Sequence, residues 1–421
     1  MYQQLNKLLM QLVNLHPKYI DLSLERLSKL LKKLDNPHLS LPPTIHIAGT
    51  NGKGSILSYI RSILMENNLN VHAYISPHLK LFNERIILSN ANIKTNKLLA
   101  TLKLVKRIND NNSITFFEIT TAAAFYLFSN EKADFLILET GLGGRLDATN
   151  IIKDSLINII TPISMDHQEF LGKNILGIAS EKLGIIKKKS HIIISKQKKI
   201  VLSHIKKKLK NNKNDKLFFQ KNFNIINKSK NTFILNYKNN EHVFTKPNLL
   251  GEHQIENAST AISAILKLNE LGYSISKKVI NKGILKTKWP GRLEIGRLGN
   301  IKVYLDGAHN IDGAKQLLKY FKSNNIKVWL IIGMLNNKNL FDFLKKIKPI
   351  LNGVIAISIP DEKNAFIPNE IIKVCDLLKL QSFSQPSINK ANQLLLKKIK
   401  PKVVLVCGSL YLIGKIRDKY L

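Results

Sequence analysis

The sequence predicts an α/β protein of two domains: a P-loop nucleotide-binding domain with a small peripheral β segment, then a smaller Rossmann-like α/β domain. Three observations predict it. The apolar run Thr44–Ala48 enters a glycine-spaced turn and then a helix-period pattern. Further apolar runs of strand length follow, separated by helical patterns. After a Pro/Gly break near Trp289 that alternation starts afresh, in a chain of 421 residues, longer than single cores usually grow.

In chain order, residues 5–35 carry one or two amphipathic helices, with the run Tyr19–Leu27 between or opening them. Thr44–Ala48 is a buried strand, and Ile56, Tyr59, Ile60, Ile63 and Leu64 mark the apolar face of the helix behind the turn. Val71–Ser76 is a second strand, ended by Pro77, which leaves Ser76 at the strand edge where open α/β sheets bind ligands. Thr115–Phe128 predicts a buried helix, and Asp134–Thr140 a strand entering the glycine-rich segment 141–150. Leu156–Thr161 is a further strand, followed by Asp166-His167 and by Glu181–Ile185. Residues 187–246, rich in Lys and Asn, predict a peripheral β-containing segment with loose loops. Gly251–Ala258 opens a helix, and Trp289–Glu294 suits a linker. Val303–Asp306, Val328–Ile332, Val354–Ile357 and Val403–Val406 are the strands of the second domain. The expected boundaries are 1–286 for the first domain, 287–296 for the linker and 297–421 for the second domain.

Composition removes several function classes. No run of about 18 apolar residues offers a membrane span, and the N-terminus has no cleavable apolar region, so a cytoplasmic protein is expected. Cys375 and Cys407 are too few and too far apart for a disulfide framework or a zinc site. Lys and Arg outnumber Asp and Glu 65 to 29, a formal charge of +36. The surplus is mostly Lys spread along the whole chain, without zinc-finger spacing, a basic heptad region or an aromatic-rich sheet motif. It reads as compositional drift, and no specific nucleic-acid partner is expected.

The segment Gly49–Ser55 suits phosphate binding. Gly49, Gly52 and Gly54 let the backbone approach an anion closely, and the helix N-terminus behind them offers partial positive charge. Lys53 can reach terminal phosphates, and Ser55 has the hydroxyl that often helps hold Mg²⁺. A glycine between Lys53 and Ser55 departs from the common GxxxxGK[ST] spacing, and such a turn can also be only a turn. Glu139 ends an apolar strand, where a carboxylate is costly unless paired, hydrogen-bonded by the next loop or bound to metal, which makes it a Mg²⁺ candidate. Taken alone, His167 and Lys182 are ordinary residues.

Nine pieces in order, AGTNGKGS, SPH, ETGLGGRLDATN, MDH, EKLGI, GEHQxxNA, WPGRLE, LDGAHN and CGSLYLIG, resemble the Mur ligase superfamily and, within it, the dihydrofolate synthase/folylpolyglutamate synthase family. The resemblance spans nearly the whole chain and implies a Mur-ligase-like central domain. It implies that Asn51, Gly52, Lys53, Gly54 and Ser55 hold ATP phosphates, that Asn257 meets the adenine, and that Arg292, Asp306 and His309 contact nucleotide from the linker and second domain. It implies two Mg²⁺ ions, one on Ser76 and Glu139 and one on His167, with Lys182 as an N6-carboxylated lysine beside the second. On the substrate side it implies Ile20, Asp21, Leu22, Thr115, Phe116 and Phe117, together with Arg145 and Asp147. The family commonly has Gly where Ser23 stands and Ala where Leu183 stands, which bears on the shape of the folate pocket.

The implied reaction activates a carboxylate with the γ-phosphoryl of ATP, after which an amine attacks the acyl phosphate; Lys53, Lys182, His167 and Arg292 are the expected catalytic groups. The carboxylate would belong to 7,8-dihydropteroate or to the γ-carboxyl of a reduced folate, and the amine to L-glutamate. A monomer is expected. The rivals are another Mur-superfamily amino-acid ligase, whose extra N-terminal domain finds no room before residue 49, and a basic nucleic-acid binder.

Overall fold

The computed structural model describes residues 1–18 and 20–421, so the first residue of the run Tyr19–Leu27 lies outside the described residues. The chain divides into two compact units, 1–246 with 256–287, and 247–255 with 288–421. The short segment 247–255 groups with the second unit, whereas the sequence reading keeps it in the first.

The first unit is built on a sheet whose strands are β1 Thr44–Ala48, β2 Val71–Tyr74, β3 Ile86–Leu88, β4 Ala91–Asn92, β5 Phe135–Glu139, β6 Ile157–Ile160, β7 His191–Ile194 and β8 Lys216–Phe218. Their spatial order is β4-β3-β2-β5-β1-β6-β7-β8. From β2 to β8 every pairing is parallel, and only β3 and β4 run antiparallel at the edge. Every residue of β1, β2, β5 and β6 is buried, as expected of parallel strands covered on both faces. β1 lies centrally, with β5 on one side and β6 on the other, so the loops leaving these three strands meet at one sheet edge.

One face carries helices Tyr2–Val13, Glu25–Lys33, Thr95–Asn109 and Phe116–Asn130. The first buries Leu5, Leu8 and Leu12, a three-to-four-residue spacing, and leaves Met10 exposed. The last is apolar nearly all round, and its start is set by a reciprocal cap. Thr115 Oγ1 accepts from the Glu118 N–H, while Glu118 Oε2 accepts from the Thr115 N–H at 2.8 Å.

The region 187–246 corrects the sequence reading. His191–Ile194 is no peripheral strand but β7 of the main sheet, with Ile192, Ile193 and Ile194 fully buried. Helix Lys199–Lys208 follows it, burying Val201 and Ile205 one turn apart. Only β9 Phe223–Lys228, β10 Thr232–Tyr237 and β11 Asn240–Thr245 form a separate antiparallel sheet. The surrounding lysines masked the apolar residues that fix both elements, because side chains on the solvent face can change without affecting what is buried.

The second unit holds β12 Glu294–Leu298, β13 Ile301–Leu305, β14 Val328–Ile332, β15 Leu351–Ala356, β16 Ser382–Ser384 and β17 Val403–Cys407, in the order β12-β13-β17-β14-β15-β16. β12 is antiparallel to β13; the rest pair in parallel. The expected linker 287–296 therefore already contains the start of a strand, since Glu294 pairs with Leu305. Among the described residues no helix is long and apolar enough to cross a membrane.

Candidate active site

At the end of β1 the chain turns at Gly49, where an added Cβ would lie 1.8 Å from Thr161 Oγ1, so only glycine fits. The following loop is tied to the segment leaving β6. The N–H groups of Thr50 and Asn51 both donate to the Pro162 carbonyl, at 3.0 and 3.1 Å. Thr50 Oγ1 accepts from the Ser164 N–H and donates to its carbonyl, and Asn51 Nδ2 donates to Ser164 Oγ at 3.0 Å. Gly52 takes φ +86°, with Asn257 Oδ1 where a side chain would begin, and helix Lys53–Glu66 starts directly after it. That helix therefore begins at the sheet edge, where its N-terminal backbone amides and dipole favour an anion.

Three of the predicted groups converge on Gly49 and Glu139. Lys53 Nζ donates to the Gly49 carbonyl at 3.3 Å and lies 3.9 Å from Glu139 Oε1. Lys182 Nζ donates to the same carbonyl at 2.9 Å. Burial, and secondarily the charge of Lys53, pull the Lys182 amine down to about 7, against the opposing pull of Asp166 and Asp147. Near neutral pH this lysine is therefore partly an uncharged, nucleophilic amine. Glu139, only 5% exposed, accepts from the Ser76 N–H at 3.3 Å through Oε2.

Ser76 Oγ is buried without a hydrogen-bond partner. A hydroxyl oxygen left over beside a buried carboxylate fits a hard divalent cation, which completes its shell with phosphate and water oxygens. Among the described residues no three His, Cys, Asp or Glu side chains cluster to cage a metal unaided. His167 stands further along the segment that carries Pro162 and Ser164, in a left-handed conformation with φ 50°, its N–H bonded to Asp166 Oδ1 at 3.0 Å.

The 141–150 segment is fastened internally. Asp147 is buried, accepts from the N–H groups of Leu142 and Thr149, and has its carboxyl raised by burial despite those bonds. Arg145 Nε donates to Glu181 Oε1 at 3.0 Å, and its N–H bonds the Glu181 carbonyl, tying this loop to the helix that presents Lys182. Among the residues expected to meet the substrate, Asp21 Oδ2 accepts from Arg26 Nη1 at 2.9 Å, and Arg26 Nε donates to Glu118 Oε2 at 3.1 Å, so residues 20–22 are joined to the cap at Thr115. The Phe117 ring stacks on Tyr74 at 5.9 Å and covers Gly141. Phe116 instead turns into the core, edge-on to Phe82 at 5.7 Å.

In the second unit, Asp306 is buried and accepts from the N–H groups of Leu293 and Ala308, both at 2.8 Å; burial raises its carboxyl while the Arg292 charge opposes. Leu293 is held at φ 46°, an unusual conformation for a bulky residue, so Asp306 fixes the backbone next to Arg292. His309 Nδ1 bonds the Gly307 carbonyl at 2.9 Å. His253, which sequence reasoning treated only as part of a helix start, has a buried Nδ1 without a hydrogen-bond partner, and burial, aided by Arg292 and Lys319, lowers its ring to about 4. Thr50 and Asp166 lie inside quoted motifs without a role assigned to them, and Ser164 escaped the sequence reading; its one signal was adjacency to the MDH piece.

Comparison with known proteins decides the family. Residues 47–265 match the Mur ligase middle domain and residues 293–419 the dihydrofolate synthetase C-terminal domain. The chain is 32% identical over 410 residues to the dihydrofolate synthase/folylpolyglutamate synthase of Bacillus subtilis, covering 94% of each. The chain belongs to the dihydrofolate synthase/folylpolyglutamate synthase family. Solved structures of this family share its fold. E. coli FolC in complex with DHPP and ADP superposes with a TM-score of 0.87 at 28% identity, over 99% of this chain and 97% of that one. A bifunctional folylpolyglutamate synthase/dihydrofolate synthase with Mn, AMPPNP and L-glutamate bound gives 0.85 at 25% identity, over 99% and 97%. The Mur-ligase-like first domain and Rossmann-like second domain expected from sequence are thus the family architecture.

Proposed function

We propose that this chain joins L-glutamate to 7,8-dihydropteroate, and to the γ-carboxyl of reduced folates, at the expense of ATP through an acyl phosphate. The observation that carries the reading is that Lys53 and Lys182 share the Gly49 carbonyl while Lys53 and the Ser76 N–H meet Glu139, at the edge of the parallel sheet. The full-length similarity to the B. subtilis enzyme supports the reaction class.

Each residue then has a physical task. Lys53 leaves Gly49 and Glu139 to neutralise the transferring phosphoryl group, the amides of the following helix turn cradle its neighbours, and Asn51 and Ser55 complete the loop. Asn257, lying against Gly52, fits the adenine side. Ser76 and Glu139 would hold one Mg²⁺ and His167 a second; bound there, the ions would supply charge neutralisation at the phosphoryl oxygens. Lys182, buried and partly neutral, has the reactivity needed to add CO₂ and become a carbamate, which would replace a buried cation by an anion facing the metal. Phe117, flanked by Tyr74 and Gly141, offers a flat apolar surface for the pterin ring, with Ile20, Asp21, Leu22 and Thr115 as its polar and apolar surroundings. In the second unit, Arg292 set by Asp306 is the anion-binding group, with His309 beside it. We place the protein in the cytoplasm as a monomer.

The test is purified protein with MgATP, L-glutamate and dihydropteroate. Formation of ADP and dihydrofolate is expected; absence of both from folded protein rejects the reading.

A further inference from the structure

A cavity of about 510 Å³ opens in the first unit between helix Glu25–Lys33 and the turn that follows helix Thr95–Asn109. Arg26, Lys29 and Lys33 recur at helical spacing along one wall with Lys32 beside them, and Asn112 and Ser113 stand on the other. That second wall is firm, because Asn109 Nδ2 donates to the Asn112 carbonyl at 2.7 Å and Asn112 Nδ2 donates back to the Asn109 carbonyl.

No carboxylate lines this cavity among the described residues. Elsewhere the lysines of this chain share its scarce acids: Lys282 and Lys286 meet on Glu66, and Lys238 and Lys267 on Glu270. Here Asp21 and Glu118 are both taken by Arg26, and Lys29, Lys32 and Lys33 remain exposed. General lysine drift accounts for their number but not for their lining a concave wall that ends on Arg26.

Arg26 also ties this cavity to the folate side. Phe117 lies against Gly141, just past Glu139; the next residue in the chain, Glu118, accepts from Arg26, and Arg26 lines the cavity together with the lysines. We propose that the cavity binds the oligo-γ-glutamyl tail of folates already lengthened, a chain of carboxylates met by a row of ammonium groups. The inference rests on the proposed ligase function, which fixes the reacting γ-carboxyl at Lys53. Every glutamate added lengthens the stretch between that fixed end and the pterin ring, so with long tails carboxylates rather than the ring reach Arg26 and beyond.

The experiment uses the full chain and the variant K29Q/K32Q/K33Q, with circular dichroism confirming the fold. kcat/KM is measured on dihydropteroate, tetrahydrofolate monoglutamate and tetrahydrofolate pentaglutamate, and binding of fluorescent penta-γ-glutamate is followed by anisotropy without ATP. The variant should lose about tenfold in kcat/KM on the pentaglutamate through KM, the scale of three exposed charge contacts, and keep dihydropteroate turnover within about twofold. Anisotropy binding should weaken in the variant, and in the wild type as salt rises from about 50 to about 300 mM. Equal losses on all substrates, or none on the pentaglutamate, overturn the tail site. Absence of turnover on every substrate in the wild type rejects the ligase reading instead, and the anisotropy titration then decides the cavity by itself.

Discussion

The phosphate-loop end of the first unit and its proposed folate side are built in opposite ways. At the loop, seven consecutive residues supply the glycines, the lysine and the helix start, and distant segments add only Glu139, Ser76 and Lys182. Among the residues proposed for the folate side no short stretch suffices: Asp21 and Arg26 come from one stretch, Thr115 and Glu118 from a distant one, and an ion-pair chain joins them. Phosphate chemistry needs a closely fitted backbone, which local sequence can specify, whereas a flat ring needs walls, which packing supplies. Damage to the loop should therefore hit turnover on every substrate, and damage to the folate side should hit one substrate's KM.

The largest expected effect is that of Lys53→Ala, a loss of about a hundredfold or more in kcat on both dihydropteroate and reduced folate, measured as ADP release. Equal kcat in variant and wild type would remove the loop from the comparison. Next, Glu139→Gln should raise the Mg²⁺ concentration needed for half-maximal activity roughly tenfold to a hundredfold, and weaken Mn²⁺ binding seen by electron paramagnetic resonance. An unchanged Mn²⁺ titration would take Glu139 out of the metal site.

Lys182 sharpens the comparison through pH. Its folded value, about 7, lies below the 10.5 ordinary for an unfolded lysine, so the unfolded chain binds the extra proton between those values. Wild-type stability relative to Lys182→Met should therefore rise as pH increases from about 7 toward 10.5, by at most about 1.4 kcal/mol per pH unit. Urea unfolding in CO₂-free buffer measures it, and a flat difference would contradict the buried amine. With bicarbonate present, mass spectrometry of the native protein should show a carbamate on Lys182. Gly49→Ala should cost about 1–3 kcal/mol of stability, because its methyl group collides with Thr161. The smallest effect is Asp21→Asn, expected to raise KM for dihydropteroate severalfold and leave KM for ATP unchanged, the scale of one partly exposed ion pair.

Much of the site was legible in motif order, and some of it misled. The proline places Ser76 just past the end of its strand, whereas the unpartnered Oγ beside Glu139, on which its proposed metal role rests, is visible only in the packed molecule. Phe116 and Phe117 are indistinguishable as letters. The helix turn places one in the core against Phe82 and the other beside Gly141. Asp147, expected on the substrate side, is occupied in fastening its own loop. The strand His191–Ile194 was recognised but assigned to the periphery, since nothing local states which neighbour a strand will pair with.

By itself the sequence determined the strand, loop and helix around Gly49, the second α/β repeat and the reaction class, because glycine conformations, apolar periods and ordered motifs are local properties of the chain. Only the tertiary structure decided that Lys182 and Lys53 share one carbonyl, that β7 is a core strand and that Arg26 links two helices to a cationic cavity. Those facts depend on which distant surfaces exclude water together, and burial, which shifts the lysine and orphans the serine oxygen, belongs to the packed molecule alone.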